Sequence, residues 1–309
     1  MGKASRSKEL ARASRAPGHP VVTRALDRLD AAIAELETEA PGWRAEMDLL
    51  RACRGQGNVD DWPEWCLLPG DAPYAIATAN GLVNSEVINM APVDRMAAFY
   101  AWLQGKNIWQ VDPDMATALL RTAMDVEIPI GVLYYLPMWG PYILAPEGCS
   151  DWPRGVLGMI VYLDWGMANG LPMLRLLVDY GEARWESVPL IMRSRSIAGM
   201  LNDTIKTAQA TAERFGIDGA EDTLSDKTEV IRAAIAIALY SCSSQRDIAD
   251  PARPGAELAR PQVVGRLYQP RRIEVGYRVG AAIRRSRTVR AEAEDEPEAA
   301  YRGPGCHRT

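Results

Sequence analysis

Apolar residues recur every three or four positions over several stretches of the chain, which predicts amphipathic helices. The first stretch runs from Val22 to Leu36 with charged residues on its other faces, and Pro41-Gly42 ends it. Four further stretches share this spacing, and the last is apolar on most sides, as expected of a buried helix. They are residues 43–54, 92–104, 196–215 and 228–242. The chain is therefore expected to be helical at its beginning and again after the middle third.

The middle third changes to short apolar or alternating runs broken by Gly, Pro and Asn, which predicts strands. Asn169-Gly170 separates two such runs and is typical of a hairpin turn. The stretch LYYLPMWGPYILAP at 133–146 predicts two strands joined by a corner at Pro137–Pro141. Proline cannot donate to a sheet and restrains the backbone, so Trp139 is expected to be fixed at that corner.

These elements predict an α+β fold with N-terminal helices, a central antiparallel β-sheet over about 127–192, and later helices packed on it. We divide the chain into a disordered basic N-terminus (1–20) and a mainly helical N-terminal region (21–126). An α+β core with a basic C-terminal segment (127–290) and a disordered acidic tail (291–309) follow. Asp112-Pro113 predicts a helix start, with a helix to about Met124, because Asp is a good cap and Pro suits the first turn. A metal-binding pair of Asp112 with Asp114 is the alternative.

Composition limits the classes of function. The chain has 309 residues, 48% of them hydrophobic, and a net charge of −5, so no overall positive field points to nucleic acid. No apolar run reaches the length of a membrane span, and we expect no membrane association. Only two histidines and five scattered cysteines occur, which argues against a His-based triad, a zinc site or any other metal. No phosphate-binding or hydrolase motif is present, so we expect no cofactor and favour a protein that is not an enzyme.

The aromatic composition is unusual, because nine tryptophans accompany only two phenylalanines. Tryptophan often lies where one edge of its ring meets water, as on a peptide-binding surface. Burial in the core is the alternative for each of them. The candidate peptide-binding residues are Trp102, Trp109, Tyr135, Trp139 and Tyr142.

Positive charge is concentrated at residues 266–290, where eight arginines accompany one glutamate. Such a segment is able to contact phosphates, and binding would then be sensitive to salt. An exposed face neutralised by the acids between Glu292 and Glu298 is the alternative. The candidate nucleic-acid-binding residues are Arg271, Arg272, Arg278, Arg284, Arg285 and Arg287.

Several stretches, taken in order, resemble the second type V-A anti-CRISPR family. The resemblance covers roughly residues 60–287 and rests on the ordered set, since each stretch alone is weak. The stretches are Ala101-Trp102, Ile108–Asp112, Tyr135–Trp139, Gly155–Val178, Arg246-Asp247-Ile248 and Val275–Arg284. The chain departs from the family at its end, which is acidic and lacks tryptophan.

The resemblance implies a protein of a phage or another mobile element that acts in the cytoplasm of a bacterial host. It implies recognition of the N-terminal polypeptide of the type V-A CRISPR nuclease as that polypeptide leaves the ribosome, followed by loss of the nuclease mRNA. Ribosome and mRNA are then further partners, and a homo-oligomer is compatible with the sequence. An RNA-binding protein or nuclease that uses residues 266–290 is the alternative function, and a structural scaffold of a mobile element is a third.

Overall fold

The computed structural model describes residues 20–57, 60–83, 89–122, 127–166, 170–215, 220–244, 246–253 and 270–295. Four described helices precede the first strand. They are α1 (Pro20–Glu39), α2 (Trp43–Ala52), α3 (Asp71–Ala79) and α4 (Ala91–Leu103). Helix α1 buries one apolar face that includes Leu29, Ile33 and Leu36, as its spacing predicts.

Seven described strands form one mixed sheet, in the order β5-β4-β3-β2-β1-β7-β6. Their bounds are β1 (Asn107–Val111), β2 (Tyr142–Leu144), β3 (Gly158–Gly166), β4 (Leu171–Asp179), β5 (Trp185–Ile191), β6 (Ile248–Ala249) and β7 (Arg271–Val275). Strands β2 to β5 pair antiparallel, whereas β1 pairs parallel with both β2 and β7. The hairpin predicted at Asn169-Gly170 is β3–β4, with Gly166 opposite Leu171; Asn169 itself lies outside the described residues.

The remaining described helices lie between strands or, in the case of the last one, after β7. They are α5 (Pro113–Leu120), a 3₁₀ helix (Ile130–Tyr135), α6 (Ile197–Phe215), α7 (Ala220–Cys242) and α8 (Tyr277–Asp295). Asp112 caps α5 by accepting hydrogen bonds from the backbone N–H groups of Asp114 and Met115, which confirms the predicted helix start. The predicted end at Met124 lies outside the described residues. Helix α8 continues to Asp295, into the segment expected to be a disordered tail.

The sheet separates two hydrophobic cores because successive residues of a strand face opposite sides. In β3, Ile160 and Tyr162 face α1 to α4, whereas Met159 and Val161 face the later helices. We call these the helix-side core and the far core. The four N-terminal helices therefore cover one face of the sheet, and β1 carries the chain from them into its middle.

The predicted α+β class is confirmed, but two details differ from the sequence-based expectation. The sheet is mixed rather than wholly antiparallel, because β1 pairs parallel with both β2 and β7. Strand β1 is short, almost wholly buried and without clear alternation, so its sequence does not mark it as a strand. The run at 130–135 is a 3₁₀ helix rather than a strand: Ile130 and Leu133 are buried three positions apart while Tyr135 is exposed. The Trp139 corner therefore joins this helix to β2, not two strands.

No helix in the described part of the chain is both long and apolar enough to cross a membrane.

Candidate functional site

The five aromatic residues predicted to bind a peptide do not form one surface. Trp102 and Tyr142 are buried in the helix-side core, and Trp109 is buried in the far core. Tyr135 is 76% exposed and Trp139 is half-buried, so only these two offer their rings to a partner in this conformation. Their role in peptide binding stays a prediction.

The corner that carries Trp139 is fixed by close packing on α4. A Cβ atom on Gly140 would lie 2.8 Å from the Cβ of Ala101 and 2.9 Å from the backbone nitrogen of Trp102, so only glycine fits there. The Arg51 guanidinium carbon lies 5.9 Å from the centroid of the Trp139 ring, within the range of a cation–π contact. The Trp139 ring therefore packs against both the helix-side core and a cation.

Tyr142 belongs to a buried polar network that ties α1 to the sheet. Its hydroxyl donates to Asp179 Oδ2 at 2.7 Å and accepts from Arg28 Nη2 at 3.0 Å. Arg28 Nε donates to the same Asp179 oxygen at 2.7 Å. Burial is the largest cause that raises the pKa of Tyr142 above its ordinary value, and the negative charge of Asp179 raises this pKa further. Tyr142 is thus a neutral hydrogen-bond bridge.

The arginines near the start of α8 hold the C-terminal helix in place. Asp247 is buried and accepts from the backbone N–H groups of Arg278 at 2.6 Å and Val279 at 3.4 Å, which caps α8 from another segment. Its other oxygen accepts from Arg278 Nε at 2.6 Å. Arg278 therefore completes a structural cap, although its side chain is 84% exposed.

A second contact joins α8 to the start of α5. Arg284 Nη1 donates to Asp112 Oδ2 at 3.0 Å and to Asp114 Oδ2 at 2.7 Å, and Arg287 Nη1 donates to Asp114 Oδ1 at 2.6 Å. Gly280 lies so close to Asp112 that an added Cβ would meet its carboxylate. We call this arrangement, together with the Asp247 cap, the α8 clasp.

The remaining candidate arginines fall into two groups. Arg271 lies 3.7 Å from Asp250, and Arg272 bonds Glu274 at 2.6 Å. Arg285 is exposed, and among the side chains that the structure describes none forms an ion pair with it. Since five of the six candidates have acidic neighbours, little of their charge is left for a phosphate; nucleic-acid binding stays a prediction.

A large cleft lies at the opposite edge of the sheet. It has a volume of about 730 Å³ and runs along β5, the end strand, between α4, α6 and α7. Its apolar walls include Met173, Val188, Ile191, Ile205 and Ile231. This volume is in the range of ligand-binding pockets. We call it the β5 cleft.

A buried ion cluster closes one side of the β5 cleft. Arg175 Nη1 lies 2.5 Å from Asp94 Oδ1, and Arg175 Nε lies 2.5 Å from Asp164 Oδ2. Burial raises the pKa of Asp94, while the positive charge of Arg175 acts in the opposite direction. The single positive charge of Arg175 is thus shared by two carboxylates, and Arg175 is not available to bind a negatively charged ligand.

Comparisons with known proteins agree with this fold. A family model described as the Anti-CRISPR type V subtype A2 family (AcrVA2-like) matches residues 109–307. The chain belongs to this family. A solved structure titled "Crystal structure of AcrVA2" matches with a TM-score of 0.61 and 17% identity, over 86% of this chain and 88% of that one, so the two share a fold. No curated protein matches the chain at a significant level.

The stretches that carried the family resemblance converge in the structure. Asp112, Asp247 and Gly280 lie in three of these stretches, and all three meet in the α8 clasp. The family motifs at this edge therefore have a structural explanation: they hold α8 against the start of α5 and against the segment before β6.

Sequence reasoning missed the β5 cleft. Its walls come from β4, β5, α6 and α7 and from Met90 and Asp94, which lie far earlier in the chain, and none of these segments carries a recognisable motif. One signal was available: Pro189 lies within a predicted strand, and proline within a strand indicates an edge.

Proposed function

We propose that this chain, as an anti-CRISPR protein of the type V-A family, lowers the production of the type V-A CRISPR nuclease. It recognises the nuclease's N-terminal polypeptide during translation in the bacterial cytoplasm, and loss of the nuclease mRNA follows. Family membership over residues 109–307 is the observation that supports this proposal. The protein would arise from a phage or another mobile element.

Two features of the described chain are consistent with recognition rather than catalysis. The β5 cleft is open and mostly apolar, which suits a peptide better than a small charged substrate. The acidic residues that sequence analysis singled out, Asp112 and Asp114, are occupied by a helix cap and by arginines. They are therefore not free to act as a general base or to bind a metal in this conformation.

A recoding experiment separates peptide recognition from RNA recognition. The first codons of the nuclease gene are changed in two ways: by synonymous codons, which alter the RNA alone, and by a compensated frameshift, which keeps most of the RNA and alters the peptide. Nuclease mRNA is then measured in cells with and without the anti-CRISPR protein. We expect loss of the synonymous message and survival of the frameshifted one.

The proposal would be refuted if the frameshifted message were lost and the synonymous message survived, because mRNA loss would then depend on the RNA sequence. Survival of all messages would refute it as well. A message with a stop codon directly after the start codon is the matched control, since it produces no peptide and should also survive. Cleavage of purified nuclease mRNA by the purified protein would support the nuclease alternative instead.

A further inference from the structure

The main chain of β5 has a free side. In an antiparallel pair, backbone groups point alternately towards the partner strand and away from it. The N–H of Met192 donates to Pro172, and the carbonyl of Arg184 accepts from Tyr180, so the even-numbered residues bond to the β4 side. The odd-numbered residues of β5 therefore direct their backbone groups outwards, and no described strand pairs with them.

Proline gives this free edge a defined pattern. Pro189 is on the outward-facing set and has no N–H, so the edge offers donors at Ser187 and Ile191 with an acceptor-only position between them. A missing donor interrupts indiscriminate strand pairing, which is one way in which proteins protect an edge. A peptide that adds to β5 must therefore match one register.

The β5 cleft lies beside this edge and provides room for side chains. A strand added to β5 would direct alternate side chains into the cleft, because successive side chains of a strand face opposite sides. The cleft offers apolar side chains on both faces of β5: Met173 and Ile191 lie on one face, and Val188 and Ile231 lie on the other. Apolar side chains at alternate peptide positions fit either of these faces.

The charged side chains that line the cleft indicate which other side chains the peptide carries. Arg193, Lys206 and Lys227 line the cleft, and within the described residues none of them has an acidic group within 4.0 Å. Asp94 is paired with Arg175, and Asp203, which accepts from the Ser194 hydroxyl, is the other acid that lines the cleft. Three cations against one carboxylate without a cationic partner leave the cleft positive, which complements an acidic partner.

We propose that β5 and its cleft form the peptide-docking site, and that the peptide binds as an added strand with alternating apolar side chains and at least one acidic side chain. This inference rests on the proposed function, and it names the site and the chemistry that the proposal leaves open. Strand addition supplies affinity through main-chain bonds, and the flanking pockets supply specificity.

The test uses the purified full chain and overlapping synthetic peptides from the N-terminal segment of the nuclease. Binding is measured by fluorescence anisotropy at low and high salt. We expect one window to bind, and the double substitution Arg193→Glu with Lys206→Glu to weaken it by on the order of tenfold or more at low salt. Arg195→Glu is the matched control, since Arg195 is equally exposed but does not line the cleft.

A second experiment modifies the peptide instead of the protein. Single N-methyl groups are placed at successive backbone nitrogens of the binding peptide, which removes one donor at a time. Strand addition predicts that affinity falls at every second position, because only alternate N–H groups face β5. A uniform response along the peptide would overturn the strand-addition mode, even if the charge-reversed protein were to misfold.

Other outcomes separate this inference from the function it rests on. If mRNA loss follows the peptide in the recoding experiment but charge reversal leaves peptide affinity unchanged, the site is wrong and the function stands. If no peptide window binds and mRNA loss follows the RNA, both are wrong. If the protein dimerises in light scattering and Arg193→Glu abolishes the dimer, the edge belongs to a second copy and the inference is overturned.

Discussion

Gly280 gives the sharpest test of the α8 clasp, because helix propensity and packing predict opposite signs. Replacing a helical glycine by alanine normally stabilises a helix by about 1 kcal/mol. Here the added Cβ would lie 1.8 Å from Asp112 Oδ1 and 2.2 Å from its Cγ. Asp112 is 2% exposed, so its carboxylate has little space into which to move.

The expected loss of stability follows from the hydrogen bonds that Asp112 would lose. Its Oδ1 accepts from the N–H groups of Asp114 at 3.0 Å and Met115 at 3.2 Å, and loss of such a cap costs ~0.5–2 kcal/mol. Forcing an extra carbon into a packed site costs ~1–3 kcal/mol. After the helix-propensity gain is subtracted, Gly280→Ala should lower the free energy of unfolding by about 0.5–4 kcal/mol.

Urea unfolding at neutral pH measures this difference directly. Gly131→Ala is the matched control, because the nearest atom to a Cβ there is Tyr134 Cδ2 at 4.0 Å, and its effect should be neutral or slightly stabilising. In an Asp112→Ala background the cost of Gly280→Ala should largely disappear, since neighbouring sites are not additive. A Gly280→Ala protein as stable as the wild type, or more stable, would refute the clasp geometry.

Four further predictions follow from other contacts. Asp247→Ala should cost ~2–3 kcal/mol of stability through loss of a buried, charge-assisted cap, whereas Arg278→Ala should cost less than about 1 kcal/mol; equal costs would contradict the cap. Because the pKa of Tyr142 is raised, above about pH 10 the unfolded chain releases a proton that the folded chain keeps. Stability should therefore fall as pH rises there, and less steeply in Tyr142→Phe. Arg285→Ala should weaken any RNA or ribosome association and flatten its salt dependence; unchanged binding across a salt series rejects a phosphate role. Trp139→Ala should lower the melting temperature and leave peptide affinity unchanged; the reverse would place the peptide at the Trp139 corner.

The sequence predicts local elements well where a single face is buried. The spacing in α1, the cap at Asp112 and the β3–β4 hairpin all carry signals within a few residues of chain. It predicts pairing across the sheet poorly. Strand β1 lies between β2 and β7, and its partner residues at 142 and 272 are distant along the chain. Nothing local distinguishes such a short buried strand from a loop with apolar residues.

The same limit applies to the arginines of residues 266–290, which the sequence makes candidates for nucleic-acid binding. Eight arginines next to an acidic tail suggest either a phosphate-binding face or neutralisation by the tail. The structure instead pairs Arg284 with Asp112, 172 residues away, and Arg278 with Asp247, 31 residues away. Ion pairs between distant segments leave no pattern in a single sequence, so charge clusters overstate the charge available at a surface.

The family motifs and the proposed binding residues therefore lie apart in this fold. The motif residues Asp112, Asp247 and Gly280 dock α8, and a chain that keeps them keeps the arrangement of β1, β7 and both capped helices. The β5 cleft lies at the other end of the sheet, and Arg193 and Lys206 contribute nothing to that clasp. A relative with the same clasp and other charges along β5 should therefore have the same fold and select a different peptide. Exchanging the two cleft cations between such relatives would exchange their peptide preference if the β5 edge is the recognition surface, and would leave it unchanged if recognition occurs elsewhere.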